Sequence, residues 1–155
     1  MVTNSIEITD AKKEDFLFIL SHLKDDDRRK VAWEKGKFKL NDDSYLNLWL
    51  SFPHKFTARI DGKILFSAGI MQSEEVNNEF ALFWMPTIHV ENHKKSYGRA
   101  SFMMVDKLKT FGKPIWDLFP TWYERNVRPA KRLGFIPQKT VNICGQDFIL
   151  SKLEV

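Results

Sequence analysis

The feature that most constrains the fold is an Asp61-Gly62 pair that stands between two runs with the composition of β-strands. Lys55 to Ile60 precedes the pair and Lys63 to Met71 follows it. Both runs are rich in the apolar residues that strands favour. Asp-Gly accepts the left-handed backbone of a two-residue turn, so the pattern predicts a β-hairpin in the middle of the chain.

A third strand is predicted after this hairpin. Phe80-Ala81-Leu82-Phe83-Trp84 starts an apolar run that we expect to reach about Val90. Pro86 lies inside this run, and because proline has no N–H to give to a sheet, its position predicts a bulge or a sheet edge. Together with the hairpin, this strand makes a three-stranded meander.

Helical periodicity precedes the meander and returns after it, since apolar residues recur every three or four positions. The expected helices cover residues 11–23, 25–36, 44–52, 96–111 and 122–133. Further short strands are expected at Ile6–Ile8, at Pro114–Phe119 and in a closing hairpin around Gly145-Gln146. A helix that joins two neighbouring parallel strands makes a right-handed crossover. This order predicts an α/β fold with a mixed central sheet of about six or seven strands and helices on both faces.

Length and composition indicate a single domain over residues 1–155, with one core. No stretch of 18 apolar residues occurs, and residues Met1–Ser5 lack a basic region followed by an apolar block. We therefore expect no membrane segment and no export signal. The single cysteine, Cys144, cannot form an internal disulfide and is expected to be a small buried hydrophobe. No zinc-ligand spacing is present, so no metal site is predicted, and a cytoplasmic setting is expected.

The positive charge is modest, at +4, and is scattered along the chain. It favours anionic ligands weakly, and a nucleotide-like cofactor would satisfy it as well as nucleic acid would. Nucleic-acid binding would need basic residues gathered beside exposed aromatics such as Trp33, Trp49 or Trp122. The many aromatic residues indicate core filling first, with a protein-binding surface as the alternative. A protein partner and the oligomeric state stay open.

The strongest chemical signal lies between Val90 and Ala100, where the third strand leads into the next helix. Main-chain N–H groups at a helix start, together with the positive end of the helix dipole, form an anion site. Gly98 and Ala100 would let a phosphate approach the main chain, and the neighbouring lysines would add charge. Taken alone, the same pattern also fits an ordinary solvated helix start.

Two motifs resemble those of the GNAT N-acetyltransferase superfamily. Lys95-Ser96-Tyr97-Gly98-Arg99-Ala100 looks like the pyrophosphate loop of these enzymes, in which Gln or Arg is followed by two residues, Gly, one residue and Gly or Ala. Here Lys takes the first place. Ala130-Lys131-Arg132-Leu133-Gly134-Phe135 is similar to the ending by which the family passes from a late helix to its next strand. The resemblance spans nearly the whole chain and implies the GNAT fold.

The resemblance implies acetyl-coenzyme A as the cofactor and an amine of a small molecule or a protein as the acceptor. Backbone groups of Ile88, His89 and Val90 would hold the pantetheine arm in the manner of a strand, and a splay after Val90 would form the acyl slot. The pyrophosphate would be held by the main-chain N–H groups of Lys95, Ser96, Tyr97, Gly98, Arg99 and Ala100. In enzymes of this kind the amine attacks the thioester directly, a base removes a proton, and a tyrosine of the late helix protonates the leaving thiolate.

The catalytic residues fit the family less well. Aligning Gly134-Phe135 puts Ala130 where the family has its tyrosine, and alanine has no proton to give. Tyr123, one or two turns earlier, is the candidate substitute acid, with packing against the sheet as the alternative. His89 is the candidate base because its ordinary pKa lies near neutrality, with a structural hydrogen-bonding role as the alternative.

Two functions therefore stay open. The first is an acyl-coenzyme-A-dependent N-acetyltransferase. The second is a catalytically inactive GNAT-fold protein with a structural or interaction role, favoured by Ala130, Pro129 and Pro86. The compact size and the helix ending at Val127–Ala130 also resemble acetyltransferase-like proteins of tailed phages, which would put the protein in the host cytoplasm or in the virion. The sequence does not identify the acceptor.

Overall fold

A seven-stranded sheet runs through the computed structural model, which describes residues 5–123 and 127–155. Its strands are β1 (Ile6–Asp10), β2 (His54–Ile60), β3 (Lys63–Ser73), β4 (Glu79–Pro86), β5 (Ile115–Pro120), β6 (Ile136–Ile143) and β7 (Gln146–Leu153). The helices are α1 (Lys13–Ser21), α2 (Asp25–Lys37), α3 (Asp42–Leu50), α4 (Lys94–Lys109) and α5 (Val127–Arg132). The strand order is β1-β2-β3-β4-β5-β7-β6, in which β4 and β5 are parallel and the other described pairs are antiparallel.

The predicted fold class is confirmed, and the predicted hairpin is present. Asp61 and Gly62 have φ values of 48° and 80°, which are the left-handed values of a two-residue turn. Cys144 and Gly145 make an equivalent turn between β6 and β7, with φ values of 50° and 84°. The prediction that Cys144 is buried is wrong, because this turn puts its side chain in solvent. Of the predicted helix over 122–133, residues 124–126 lie outside the described part of the chain.

Two apolar layers cover the sheet, one on each face. On one face α4 packs through Ala100, Met104 and Leu108 against β1, β2 and β3. On the other face α1 and α3 pack together around Phe16 and Trp49. Because successive side chains of a strand point to opposite faces, β4 supplies residues to both layers. None of the described helices is long and apolar enough to cross a membrane.

The central strand β4 ends earlier than predicted. Its register with β3 is continuous from Glu79 to Pro86, and Thr87 then turns the chain by bonding to carbonyl groups of the preceding strand. Ile88 to Asn92 form a 3₁₀ turn, so the predicted extension of the strand to Val90 is wrong. Pro86 is the last residue of the strand and causes no bulge in its register with β3.

A buried polar cluster fastens α1 to the sheet. The carboxylate of Asp15 accepts hydrogen bonds from the Thr57 hydroxyl at 2.9 Å and from the Lys12 backbone N–H at 3.0 Å. It also pairs with the guanidinium of Arg59. The Thr57 hydroxyl in turn lies 2.7 Å from that of Ser67 on β3. Asp15 is 4% exposed, so these partners replace the water that the charge has lost.

Replacing Asp15 with alanine should therefore lower the free energy of unfolding by about 3 kcal/mol, since it leaves a hydroxyl, a backbone N–H and a guanidinium without their shared acceptor. Urea denaturation followed by tryptophan fluorescence would measure the loss. Glu14→Ala, one residue earlier on an exposed face, is the matched control, with an expected change below about 1 kcal/mol. Equal effects of the two substitutions would show that the cluster does not hold α1 in place.

Candidate active site

The candidate site begins where β4 and β5 separate. The two parallel strands are paired only at Phe80 with Ile115 and at Ala81 with Trp116. Beyond this point β4 stays paired with β3 up to Pro86, while β5 stays paired with β7 up to Pro120. The strands therefore diverge like the arms of a V, and the sheet is open between them.

Backbone groups of β4 face this opening. The N–H of Phe80 donates to the Pro114 carbonyl at 3.0 Å, so Phe80 directs its backbone groups towards β5. Backbone groups alternate in direction along a strand, so those of Trp84 point the same way, beyond the last paired residue. Pro86 belongs to the same set, and its missing N–H therefore costs no hydrogen bond of the sheet.

On the α4 face, the opening leads into a groove with a volume of about 250 Å³. Its wall combines apolar side chains with five groups that can carry a charge. These are the Tyr97 hydroxyl, the Asp117 carboxyl, the Lys30 and Lys94 ammonium groups and the Arg132 guanidinium. Gly98 also lies on the wall, where an added Cβ would have no atom within 4 Å. The groove is thus open at Gly98, and its wall carries more positive than negative groups.

Tyr97 is the groove residue with the best-defined hydrogen bond. Its hydroxyl oxygen accepts a bond from the indole N–H of Trp84 at 3.0 Å, and its ring meets the edge of Phe66 at 5.4 Å. Burial raises the pKa of Tyr97 to about 12, so the hydroxyl keeps its proton at neutral pH. Because the oxygen serves as an acceptor for Trp84, that proton is available for donation into the groove.

Asp117 is a carboxyl group inside an otherwise apolar strand. Burial raises its pKa, while the charge of Lys30 and the backbone N–H of Leu118 act in the opposite direction. An acid with a raised pKa at the wall of a groove is a feature of many functional sites. Neither Asp117 nor Lys30 was singled out by the sequence, although a charge in the apolar run from Ile115 to Phe119 was a usable signal.

The predicted anion loop coincides only in part with the N–H groups that are free at the start of α4. Helix α4 begins at Lys94, and the N–H of Tyr97 is already bonded to the His93 carbonyl at 2.8 Å. The backbone N–H groups of the residues from Tyr97 to Ala100 are therefore used inside the helix. The N–H groups without an acceptor in the helix are those of the first turn, Lys94 to Ser96. These residues line a cavity of about 370 Å³, to which Glu91, Asn92 and His93 contribute.

The predicted pantetheine segment is also displaced. Ile88, His89 and Val90 belong to a 3₁₀ turn, so they cannot present their backbone as a strand would. The prediction of strand-like binding at these three residues is wrong, because β4 stops at Pro86 and the splay lies before that residue. The strand-like edge that faces the opening is instead that of Leu82 to Trp84.

The two predicted catalytic residues lie outside the groove. His89 is half-buried beside His22 and Phe18, and it lines neither cavity described above. Burial lowers its pKa, as do the nearby charges of Lys63 and the other histidines. Tyr123 is buried and its phenol donates to the carboxylate of Asp27. Burial and this negative charge raise the pKa of Tyr123. Its hydroxyl proton is used in the bond to Asp27 and is therefore not available to a group in the groove.

Ala130, in contrast, lines the groove. It lies at the end of α5, where the Phe135 N–H donates to the Ala130 carbonyl and the Gly134 N–H donates to the Lys131 carbonyl, both at 3.0 Å. This pair of bonds closes the helix with Gly134 in a left-handed conformation, at φ 103°. The methyl group of Ala130 therefore stands at a position from which a longer side chain would enter the groove.

A second cavity opens on the opposite face of the sheet, with a volume of about 240 Å³. It shares Lys30, Leu82 and Trp84 with the groove, so the two cavities meet at the opening between β4 and β5. Its wall is largely aromatic and comes from α2, α3, β4, β5 and β7. No cluster of three or more potential metal ligands occurs among the described residues.

The sequence matches no protein-family model and no curated protein. The fold, however, matches many solved structures. An acetyltransferase of the GNAT family from Streptococcus pneumoniae aligns with a TM-score of 0.63 at 13% identity, covering 97% of this chain and 99% of the other.

Two further matches have similar scores. The ribosomal-protein-S18-alanine N-acetyltransferase of Escherichia coli aligns with a TM-score of 0.66 at 13% identity, covering 97% of this chain and 94% of the other. A Salmonella typhimurium protein, solved with its cofactor acetyl-CoA, aligns with a TM-score of 0.60 at 14% identity, with coverages of 97% and 94%. The chain therefore has the fold of the GNAT acetyltransferases.

Proposed function

We propose that the protein is an N-acetyltransferase that uses acetyl-coenzyme A. The observation that carries this proposal is the separation of β4 from β5, which opens a groove on one face of the sheet and connects it to a pocket on the other. In a group transfer between two bound substrates, the donor and the acceptor must meet while each stays in its own binding site, so a passage between the two sites is needed. Acetyl-coenzyme A would fill the groove, and the amine would enter from the opposite face.

The cofactor would be held mainly by the backbone. The exposed edge of β4 at Trp84 offers an N–H and a carbonyl to the amides of the pantetheine arm. The first-turn N–H groups of Lys94, Lys95 and Ser96, together with the helix dipole, suit a pyrophosphate. Lys94 lines both the groove and the cavity at the helix start, so its charge is positioned between the two parts of the cofactor.

In the proposed reaction, the nitrogen of a neutral amine attacks the carbonyl carbon of the thioester. A C–N bond forms, the C–S bond breaks, and the sulfur leaves as a thiolate that must take up a proton. Tyr97 is the group best suited to give this proton, because it lines the groove and its hydroxyl is not consumed by its bond with Trp84. It would take the role that Ala130 cannot perform.

The alternative is a GNAT-fold protein that has lost catalysis and serves as a structural or interaction part, in a phage or elsewhere. Ala130 at the groove wall favours it, since the usual proton donor is missing there. This alternative and the enzyme differ in whether the groove binds the cofactor and whether the bound thioester is consumed.

Calorimetric titration with acetyl-coenzyme A tests the proposal directly. Micromolar binding, followed by release of the thiol when an amine is added, is the expected result, since the groove offers both backbone donors and a cationic end. Coenzyme A should compete with the thioester, because the proposed contacts are to the shared part of the two molecules. An absence of binding at about millimolar cofactor would overturn the proposal and favour a structural role.

Substitution of Gly98 by aspartate should raise the dissociation constant of acetyl-coenzyme A at least about tenfold, because a carboxylate would enter the groove near the phosphates. The fold should be retained, since the added Cβ meets no atom within 4 Å and aspartate is a better helix residue than glycine. Gly36→Asp is the matched control, because Gly36 is also a helical glycine with free space and lines none of the three cavities. Equal affinities of the two variants would remove the groove from the cofactor site.

Tyr97→Phe should lower kcat by about tenfold to a hundredfold while changing the affinity for acetyl-coenzyme A less than about twofold. The ring and its contact with Phe66 remain, and only the hydroxyl is lost. Tyr123→Phe is the comparison, since it removes a hydroxyl that is bonded to Asp27 outside the groove, and it should leave kcat within about twofold. The reverse pattern, with turnover lost only in the Tyr123 variant, would assign the acid role to Tyr123.

A further inference from the structure

The pocket on the face opposite the groove is rich in aromatic side chains. Nine of its lining residues are aromatic, including Trp33, Trp49, Trp116 and Phe148. Trp49 stacks on Phe83 with a centroid distance of 5.9 Å and an interplanar angle of 7°, which makes a flat apolar wall. Gly69, on the neighbouring strand, leaves room for the Phe83 ring, since an added Cβ would lie only 3.0 Å from Cζ of that ring. The pocket is therefore built to receive flat or branched apolar groups.

The charged groups of this pocket are few and carry a net negative charge. Glu34 and Glu75 contribute carboxylates, and Lys30 contributes the single ammonium group among the described lining residues. Glu34 lies one turn after Lys30 on α2, close to the passage into the groove, and accepts a hydrogen bond from the Tyr45 hydroxyl at 3.3 Å. Burial raises the pKa of Glu34, while the charge of Lys30 and the hydrogen bond from Tyr45 act in the opposite direction. A second cation beside Glu34 would recover a further part of the hydration energy that the carboxylate has lost.

We propose that the acceptor is a monoamine with an apolar, ring-sized body, held by Glu34 at its ammonium end and by the aromatic wall at its other end. This inference rests on the proposed function, since it names the amine that the same opening would acetylate. The ammonium group would lie between Glu34 and the indole faces, where cation–π attraction adds to the ion pair. The apolar body would point away from the passage, towards Trp33 and Phe148, whose rings are 5.2 Å apart.

The size and the charge of the pocket limit the acceptor. A cavity of about 240 Å³ exceeds the roughly 150 Å³ that encloses a benzene molecule, so a ring with a short side chain fits. A polyamine would bring further charges into a lining in which the described residues offer, besides Glu34, only the exposed carboxylate of Glu75, so most of the hydration of these charges would be lost without compensation. A carboxylate or phosphate ester would meet the net negative charge of the lining.

The same carboxylate completes the proton balance of the transfer. Glu34 takes one proton from the ammonium group, which frees the lone pair that attacks the acetyl carbon. The C–N bond then forms as the C–S bond breaks, and the departing thiolate takes the proton of Tyr97 on the other face of the sheet. The second proton of the attacking nitrogen leaves to water, and Tyr97 and Glu34 return to their starting states by exchange with solvent.

Binding of amines to the protein without cofactor is the first test, read by quenching of tryptophan fluorescence. 2-Phenylethylamine should bind at least about tenfold more tightly than 2-phenylethanol, its neutral counterpart of equal size, and more tightly than spermidine. Equal binding of the amine and the alcohol would overturn the role of the charge. Tighter binding of spermidine, or preferred acetylation of a lysine peptide, would overturn the acceptor class.

Substitution within the pocket is the second test. Glu34→Gln should raise KM for 2-phenylethylamine about tenfold or more and leave the affinity for acetyl-coenzyme A within twofold, because the amide still accepts from Tyr45 but carries no charge. Glu74→Gln, at an exposed carboxylate that does not line the pocket, should change neither value. An unchanged KM in the Glu34 variant would overturn the proposal.

The two proposals fail in different ways. If 2-phenylethylamine binds and acetyl-coenzyme A does not, the pocket assignment stands and the acetyltransferase function is wrong. If acetyl-coenzyme A binds and is consumed only with another class of amine, the function stands and the acceptor assignment is wrong.

Discussion

The short parallel pairing of β4 with β5 is the constraint on which the rest of the structure depends. Two paired positions keep the strands in one sheet. Beyond Ala81 and Trp116 the pairing is lost, and this opens the interior of the sheet without adding an unpaired outer edge. Each strand keeps its other neighbour, β3 for β4 and β7 for β5, so the opening does not unfold the sheet. As a result, the backbone groups of β4 along the opening need a partner other than β5. The amide groups of a pantetheine arm would be suitable hydrogen-bond partners for them.

Helix α2 lies across this opening and concentrates charge there. Asp27, Lys30 and Glu34 follow each other at the spacing of one helix face, and Lys30 reaches both cavities. The hydrogen bond from Tyr123 to Asp27 ties the helix to the chain just after β5. Desolvation by burial raises the pKa of Asp27 to about 6, and its Oδ2 atom has no hydrogen-bond partner among the described residues. Burying this carboxyl lowers the stability of the fold at neutral pH. Residues that cost stability in this way are typical of functional sites.

The sequence predicted the architecture better than the site, and the reason is physical. The hairpin at Asp61-Gly62 depends on local backbone preferences, so it could be predicted from adjacent residues. The end of β4 depends on Thr87, whose hydrogen bonds reach residues 64 and 65 on another strand. No pattern in the residues adjacent to Thr87 predicts these bonds. The same error placed the predicted pantetheine segment several residues beyond the edge of β4 that faces the opening. Tyr97, Asp117 and Glu34 come from three elements that meet only in the folded chain, so their grouping was beyond local inference.

The bond between Trp84 and Tyr97 indicates how a hydroxyl on α4 can stand in for one that α5 does not provide. It joins the edge of β4, which faces the opening, to the helix whose first turn offers its N–H groups to an anion. A cofactor that is held by the strand and by the helix start would therefore have the Tyr97 hydroxyl placed beside it by the same two elements. A proton donor contributes most when its position is fixed relative to the leaving group, because its orientation is then not lost in each turnover. Because the side chain of Ala130 is only a methyl group, the opposite wall of the groove also leaves room for a cofactor in this position.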